Sequence, residues 1–155
     1  LLVLFGVSVL GRRLLAMPLC VNVKRKETIM PVDIRLIHAQ DFVRATSEGQ
    51  LDFEMSKKAL IEIASATAHL IDYEILLDTR QAYVQMSVTE LWYLSAELSK
   101  LRDAFSGKTA VLCPVERFDD AAFFALCSEN RGFRIKAFTS FEDAINWLIG
   151  IAPDV

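Results

Sequence analysis

The chain has 155 residues, 53% of them apolar and 24% charged, with a net charge of −3 at pH 7. That is enough for one well-buried core and too little for two ordinary domains, and the composition excludes a disordered or fibrous protein. The charge is uneven, +4 over residues 1–29 and −7 over residues 30–155, and an acidic domain lacks the basic face that nucleic-acid binding needs.

Residues 1–29 read as a tail. Their apolar run is stopped by Arg12 and Arg13, too short to cross a bilayer, and their charges do not precede it as in a signal peptide. The expectation is that they lie upstream of a natural start at Met30, or less readily Met17. The alternative is an anchor on a membrane surface whose Lys24, Arg25 and Lys26 meet anionic headgroups. Three cysteines, Cys20, Cys113 and Cys127, are odd in number and lack metal or redox spacing, which points to a reducing compartment, the cytoplasm.

The domain is expected over residues 30–150, with 151–155 as a C-terminal tail. Residues 33–38 and 42–47 mix Ile34, Leu36, Phe42 and Ala45 with Arg35 and Arg44 and read as a hairpin of half-exposed strands. After a turn at Gly49, Asp52 is placed to cap a first helix in which Met55, Ala59, Leu60, Ile63, Thr67 and Leu70 recur at helical spacing. The unbroken triplet Ile75, Leu76 and Leu77 then suits a strand covered on both faces and ending at Asp78.

From Ser87 the stripe Leu91, Leu94, Leu98, Leu101 and Phe105 predicts a long amphipathic helix. Of the adjacent aromatics Trp92 and Tyr93, about 100° apart on a helix, at least one is expected to turn inward. A strand follows at Ala110, Val111, Leu112 and Cys113, stopped by Pro114, and then a helix from Asp119 or Asp120 with Phe123, Phe124 and Cys127 inward. Phe133, Ile135 and Ala137 alternate with Arg134 and Lys136 in a strand nearer an edge. Ser140 opens a last helix that ends at Gly150. Strands alternating with helices predict an α/β fold: a mainly parallel five-stranded sheet with an N-terminal antiparallel hairpin and four helices.

A catalytic set is not legible. Gly49, Gly107, Gly132 and Gly150 each fall where a turn or helix stop wants positive φ, so they do not cluster into a phosphate-cradling loop. Asp78 invites comparison with phosphoacceptor aspartates, but these need further acids, a Mg²⁺ and a lysine, and a phosphatase pattern wants an acid where Arg80 stands. Pairing with Arg80 or with backbone N–H groups is the simpler reading of Asp78. His38 and His69 lack zinc spacing, and Cys113 reads as a core residue before a nucleophile. No metal, no cofactor and no enzymatic activity are expected.

The "GQLDFEMSKKAL" stretch leading into the first helix, the "YEILLD" and "GKTAVL" strands and the closing "RIKAFTSFEDAINWL" together resemble the SpoIIAA-like branch of the STAS superfamily, over almost all of residues 30–150. The resemblance implies a four-helix, five-strand STAS fold related to anti-sigma-factor antagonists, several uncharacterised bacterial members, and a likeness to CRAL-TRIO lipid-transfer domains. It implies a regulatory, protein-binding role without catalysis. In phosphorylated STAS antagonists an Asp-Ser-Ser-Gly motif follows the central strand, and a kinase modifies one of its serines. Here "QMSVTEL" corresponds: Ser87 matches a serine, Met86 replaces the acid, and Val88 and Thr89 replace the second serine and the glycine.

Ser87 and Glu90 also form a Ser-x-x-Glu capping box, a role that competes with phosphoregulation. The candidate contact residues are therefore Asp78, Thr79, Arg80 and Ser87, for a protein partner or, alternatively, a small apolar ligand or lipid held between helices and sheet. Oligomeric state is not legible in the sequence.

Overall fold

The structure, a computed structural model, describes residues 32–37, as backbone strand alone, and residues 42–150. The expected tails at 1–29 and 151–155, and His38 and Cys20, lie outside these residues. In chain order the elements are β1 (Val32–Ile37), β2 (Phe42–Leu51), α1 (Phe53–Thr67), β3 (Glu74–Val84), α2 (Val88–Glu97), β4 (Lys108–Leu112), α3 (Phe118–Glu129), β5 (Arg134–Phe138) and α4 (Phe141–Ile149). A 3₁₀ turn over Leu98–Leu101 prolongs α2, and another over Val115–Arg117 precedes α3.

The helix-covered body of the sheet is β2, β3, β4 and β5, four strands adjacent in sequence order and all parallel. This corrects the expected fold class at its N-terminal end, where residues 33–38 and 42–47 are expected to form a half-exposed hairpin set apart from the parallel strands. Phe42–Leu51 belongs to the parallel body: Phe42, Val43, Ala45, Ser47 and Leu51 are buried, and the strand pairs with β3 along its whole length. Arg44 made the stretch read as half exposed; an interior strand carries it because Asp78 neutralises it. β1 runs antiparallel along the other edge of β2, and the connection through residues 38–41 lies outside the described residues.

Right-handed crossovers between sequential parallel strands put every connecting helix on one side. Ala45, Ile75, Val111 and Ile135 accordingly share one core with α1, α2 and α3, through Leu60, Ile63, Leu91, Leu94, Leu98 and Phe124. On the other side Phe42, Leu76, Ala110 and Leu112 pack against Ala144 and Leu148 of α4 alone. Ile75 and Leu76, 1% and 0% exposed, point to opposite cores, and burying each contributes about 1.5–3 kcal/mol. The apolar triplet of β3 is thus the wall between two hydrophobic layers.

Helix ends follow local chemistry. Asp52 caps α1 by accepting from the Met55 N–H at 2.8 Å, and Ser140 caps α4 by accepting from Asp143. Gly150 closes α4 in the left-handed region at φ 78°. Other expectations need correcting. Gly49, expected at a turn, lies within β2 at φ 77°. Gly107 does not adopt a positive φ; a Cβ there would strike the carbonyl oxygen of Tyr73, so close approach requires glycine. Trp92 and Tyr93 are both exposed, 46% and 54%, stacked edge to face at 5.1 Å with Arg131 over Trp92. The inward stripe of α2 is filled by Leu91, Leu94 and Ser95, which leaves neither ring room.

Candidate functional site

β3 does not end at Asp78. Thr46 faces Asp78 across the β2–β3 ladder and Glu48 faces Gln81, so Thr79 and Arg80 together stand opposite the single residue Ser47. This is a β-bulge, which inserts one residue and re-aims the side chains after it. Before it Leu77 faces the three-helix side; after it Ala82 and Val84 face that side and Tyr83 faces out. Beyond the last β3–β4 pair, Asp78 with Leu112, β2 and β3 continue as a two-stranded arm through Leu51 and Val84.

The bulge separates the candidate residues. Asp78, 3% exposed, lies on the α4 side of the sheet with Arg44 and Arg80. Arg80 clasps the carboxylate with Nε donating to Oδ1 at 2.9 Å and Nη2 to Oδ2 at 2.8 Å, its own backbone N–H reaches Oδ1 at 3.3 Å, and Arg44 Nη2 donates to Oδ2 at 2.6 Å. Burial alone would raise the pKa of Asp78; the hydrogen bonds from Arg80 and Arg44 outweigh it and hold the group at about 2. Both guanidiniums lie over the ring of Phe141, the first residue of α4, at 5.6 and 5.9 Å from its centre. With its oxygens occupied by two arginines, Asp78 is a fixed counter-ion and a poor nucleophile.

Thr79 points the other way. Its hydroxyl donates to the Leu112 carbonyl at 3.0 Å, and its own carbonyl accepts from Arg117 Nη2 at 2.7 Å, so the polar groups freed by the bulge are bonded to β4 and to the turn before α3. Thr79 also borders a half-open cavity of about 110 Å³ between the sheet and α1, α2 and α3, whose walls are mainly apolar and include Leu60, Met86, Leu94 and Phe124. The arm forms its outer wall through Leu51 and Val84.

Ser87 caps α2 in a complete capping box: its hydroxyl accepts from the Glu90 N–H at 3.3 Å, while the Glu90 carboxylate accepts from the Ser87 N–H at 2.7 Å and from its hydroxyl at 2.8 Å. These bonds, the backbone one first, draw the Glu90 carboxyl below its usual range. Cys113 is 1% exposed, and burial pushes its thiol up, with Arg117 opposing only in part. A thiolate is disfavoured there.

The structure therefore brings Asp78 and Arg80 together, puts Thr79 at a cavity across the sheet, and leaves Ser87 at a separate helix start. Sequence reasoning missed Arg44, Phe141 and Arg117. The signal for Arg44 was available: a base inside an apolar strand needs a carboxylate, and Asp78 is the acid inside the neighbouring one.

No family model matches the chain, and no curated protein does. Among solved structures, an uncharacterized DUF3478-family protein with a SpoIIAA-like fold from Shewanella loihica is similar with a TM-score of 0.52 at 19% identity, covering 80% of this chain and 98% of that one. The anti-sigma factor antagonist SpoIIAA in its unphosphorylated form gives a TM-score of 0.46 at 17% identity, over 77% of this chain and 99% of that one. The Bacillus cell fate determinant SpoIIAA in the phosphorylated form gives 0.46 at 16%, over 75% and 97%. Strand order, helix placement and the first of these likenesses agree: the chain has a SpoIIAA-like α/β fold.

Proposed function

We propose that this chain is a non-enzymatic regulatory module of the cytoplasm that docks a protein partner through the end of the β2–β3 arm and the first turns of α2. The observation that carries this reading is the run of exposed side chains Tyr83, Val88, Trp92 and Tyr93, 67%, 59%, 46% and 54% exposed, along that one stretch of chain. Exposed aromatics grouped in this way mark interaction surfaces, where they supply much of the binding energy. Arg80 and Ser87 lie on the same stretch of chain, before Tyr83 and before Val88, while Asp78 and Thr79, tied within the fold, act by holding the bulge that shapes the arm. The SpoIIAA structures, described as those of an anti-sigma factor antagonist, are in keeping with a regulatory role. The occupied Asp78 and buried Cys113 support a reading without catalysis. Among the described residues no helix is long and apolar enough to cross a membrane.

The test is site-specific photo-crosslinking in the native cell, with the reactive group at Tyr83, Val88 or Tyr93 and, as control, at Ile71, which is 87% exposed. A crosslinked species formed from the first three positions and not from Ile71 supports docking. Equal labelling from all four, or none, refutes it.

The cavity favours a second reading, binding of a small apolar ligand. An apolar engineered cavity of about 150 Å³ binds benzene; at about 110 Å³ and half open, this one suits a single ring or short branched chain. Methyl resonances of Leu60 and Leu94 should shift saturably when benzene is added, and unmoved methyls rule the reading out.

A further inference from the structure

The Arg44–Asp78–Arg80 cluster has more positive than negative charge and more donors than acceptors. Asp78 contributes one negative charge against two guanidiniums. Its carboxylate engages Nε and Nη2 of Arg80 but only Nη2 of Arg44, which leaves Nη1 on both side chains outside the carboxylate pairing. Arg44 Nε is buried and has no hydrogen-bond partner among the described residues. A buried donor of a charged group without an acceptor is costly, and a ligand oxygen would remove that cost where a small turn of the guanidinium opens Nε to it. The arginine side chains remain 31% and 42% exposed, so solvent reaches them. Asp78 holds both by salt bridge, and the Phe141 ring underlies both, so their positions are set before a ligand arrives. Glu142 and Asp143 share the first turn of α4 with Phe141, but among the described residues neither forms an ion pair with these arginines.

We propose that this cluster is an oxyanion site for a phosphate-class group, free or as a small monoester. Guanidinium forks match phosphate oxygens, and the oxygens of a phosphoryl group outnumber the two of a carboxylate, so they suit donors arriving from two strands. The buried counter-ion sets the affinity: with one charge cancelled, the site binds weakly and reversibly. It lies across the sheet from the cavity, and its probe differs from that of the docking test, so either reading can fail alone.

The experiment is a titration of the full chain at constant ionic strength with inorganic phosphate, phenyl phosphate and acetate, following the arginine Nε–H resonances by NMR. Phosphate should shift the Arg44 and Arg80 signals saturably, and acetate several-fold more weakly. Phenyl phosphate binding tighter than phosphate assigns the site to monoesters; equal binding assigns it to the free ion. Arg44→Lys keeps the charge but removes the fork and Nε–H, and should weaken phosphate about tenfold. Asp78→Asn frees the second guanidinium and should tighten it. Arg80→Gln, at a more exposed position, should abolish the shift without requiring Asp78→Asn to fold. Acetate matching phosphate, a non-saturating drift, or Arg44→Lys binding like wild type would each overturn the proposal.

Discussion

Replacing Asp78 with Asn keeps the side chain's shape and removes its charge, leaving two guanidiniums uncompensated over the same ring. Removing one member of a fully buried pair costs about 3–5 kcal/mol. Here the carboxylate is buried but its partners are 31% and 42% exposed, so water recovers part of this and a loss of about 2 kcal/mol is expected at pH 7. The pH dependence follows from the same geometry. The folded-state pKa of about 2 lies below the ordinary 3.8, so the stabilisation is fully present above about pH 4 and is lost as pH falls toward 2. The full shift corresponds to about 2.4 kcal/mol, and screening of the part-exposed arginines brings it to about 1–2 kcal/mol. Urea unfolding of wild type and Asp78→Asn between pH 7 and pH 2 measures both quantities. The gap between the two proteins should narrow as the pH falls below 4. A variant within about 0.5 kcal/mol of wild type at pH 7, or a gap that does not change with pH, would refute the assignment of Asp78 as a buried counter-ion.

Thr109 is 0% exposed and its hydroxyl has no partner among the described residues, so Thr109→Val should stabilise by about 1 kcal/mol, seen as a higher urea midpoint at unchanged slope. Ser87→Ala should cost about 1 kcal/mol through loss of the α2 cap, and Ser87→Asp, which can still accept from the Glu90 N–H, should recover most of it in thermal melts. Gly107→Ala should destabilise by about 2 kcal/mol, because the new methyl meets the backbone of Tyr73 instead of a side chain that could swing away; a melt at the wild-type midpoint would contradict this.

What could be read from the sequence was whatever short spacings encode. Ser87 with Glu90, Asp52 before α1, and Ser140 and Gly150 at the ends of α4 each state a helix boundary within a few residues, and the structure places all of them so. The apolar stripe Leu91, Leu94 and Leu98 likewise fixed one face of α2. Pairings across the sheet were illegible for the opposite reason. Arg44 and Asp78 meet only because β2 and β3 are aligned in one register. The bulge at Thr79 and Arg80 is written as three polar residues after an apolar triplet, a pattern that equally describes a strand end, and only the register with β2 distinguishes them. Gly107 looked like a helix stop because its constraint comes from Tyr73, a neighbour in space. The outward turn of both Trp92 and Tyr93 depended on knowing that leucines and Ser95 had already filled the interior side of the helix.

The extra residue in β3 is dispensable for the facing of the arm beyond it and matters for what is anchored at the bulge itself. Deleting one position there would give plain alternation along β3 and leave the pairing beyond it intact: Ala82 and Val84 would still stand opposite Gly49 and Leu51, Tyr83 would still stand opposite Gln50, and only the bonds that Thr79 or Arg80 makes would be lost. A homologue shorter by a single residue at this point would keep the same order of strands, the same outward tyrosine and the same hollow, and would lack either the arginine clasp or the threonine tie to β4.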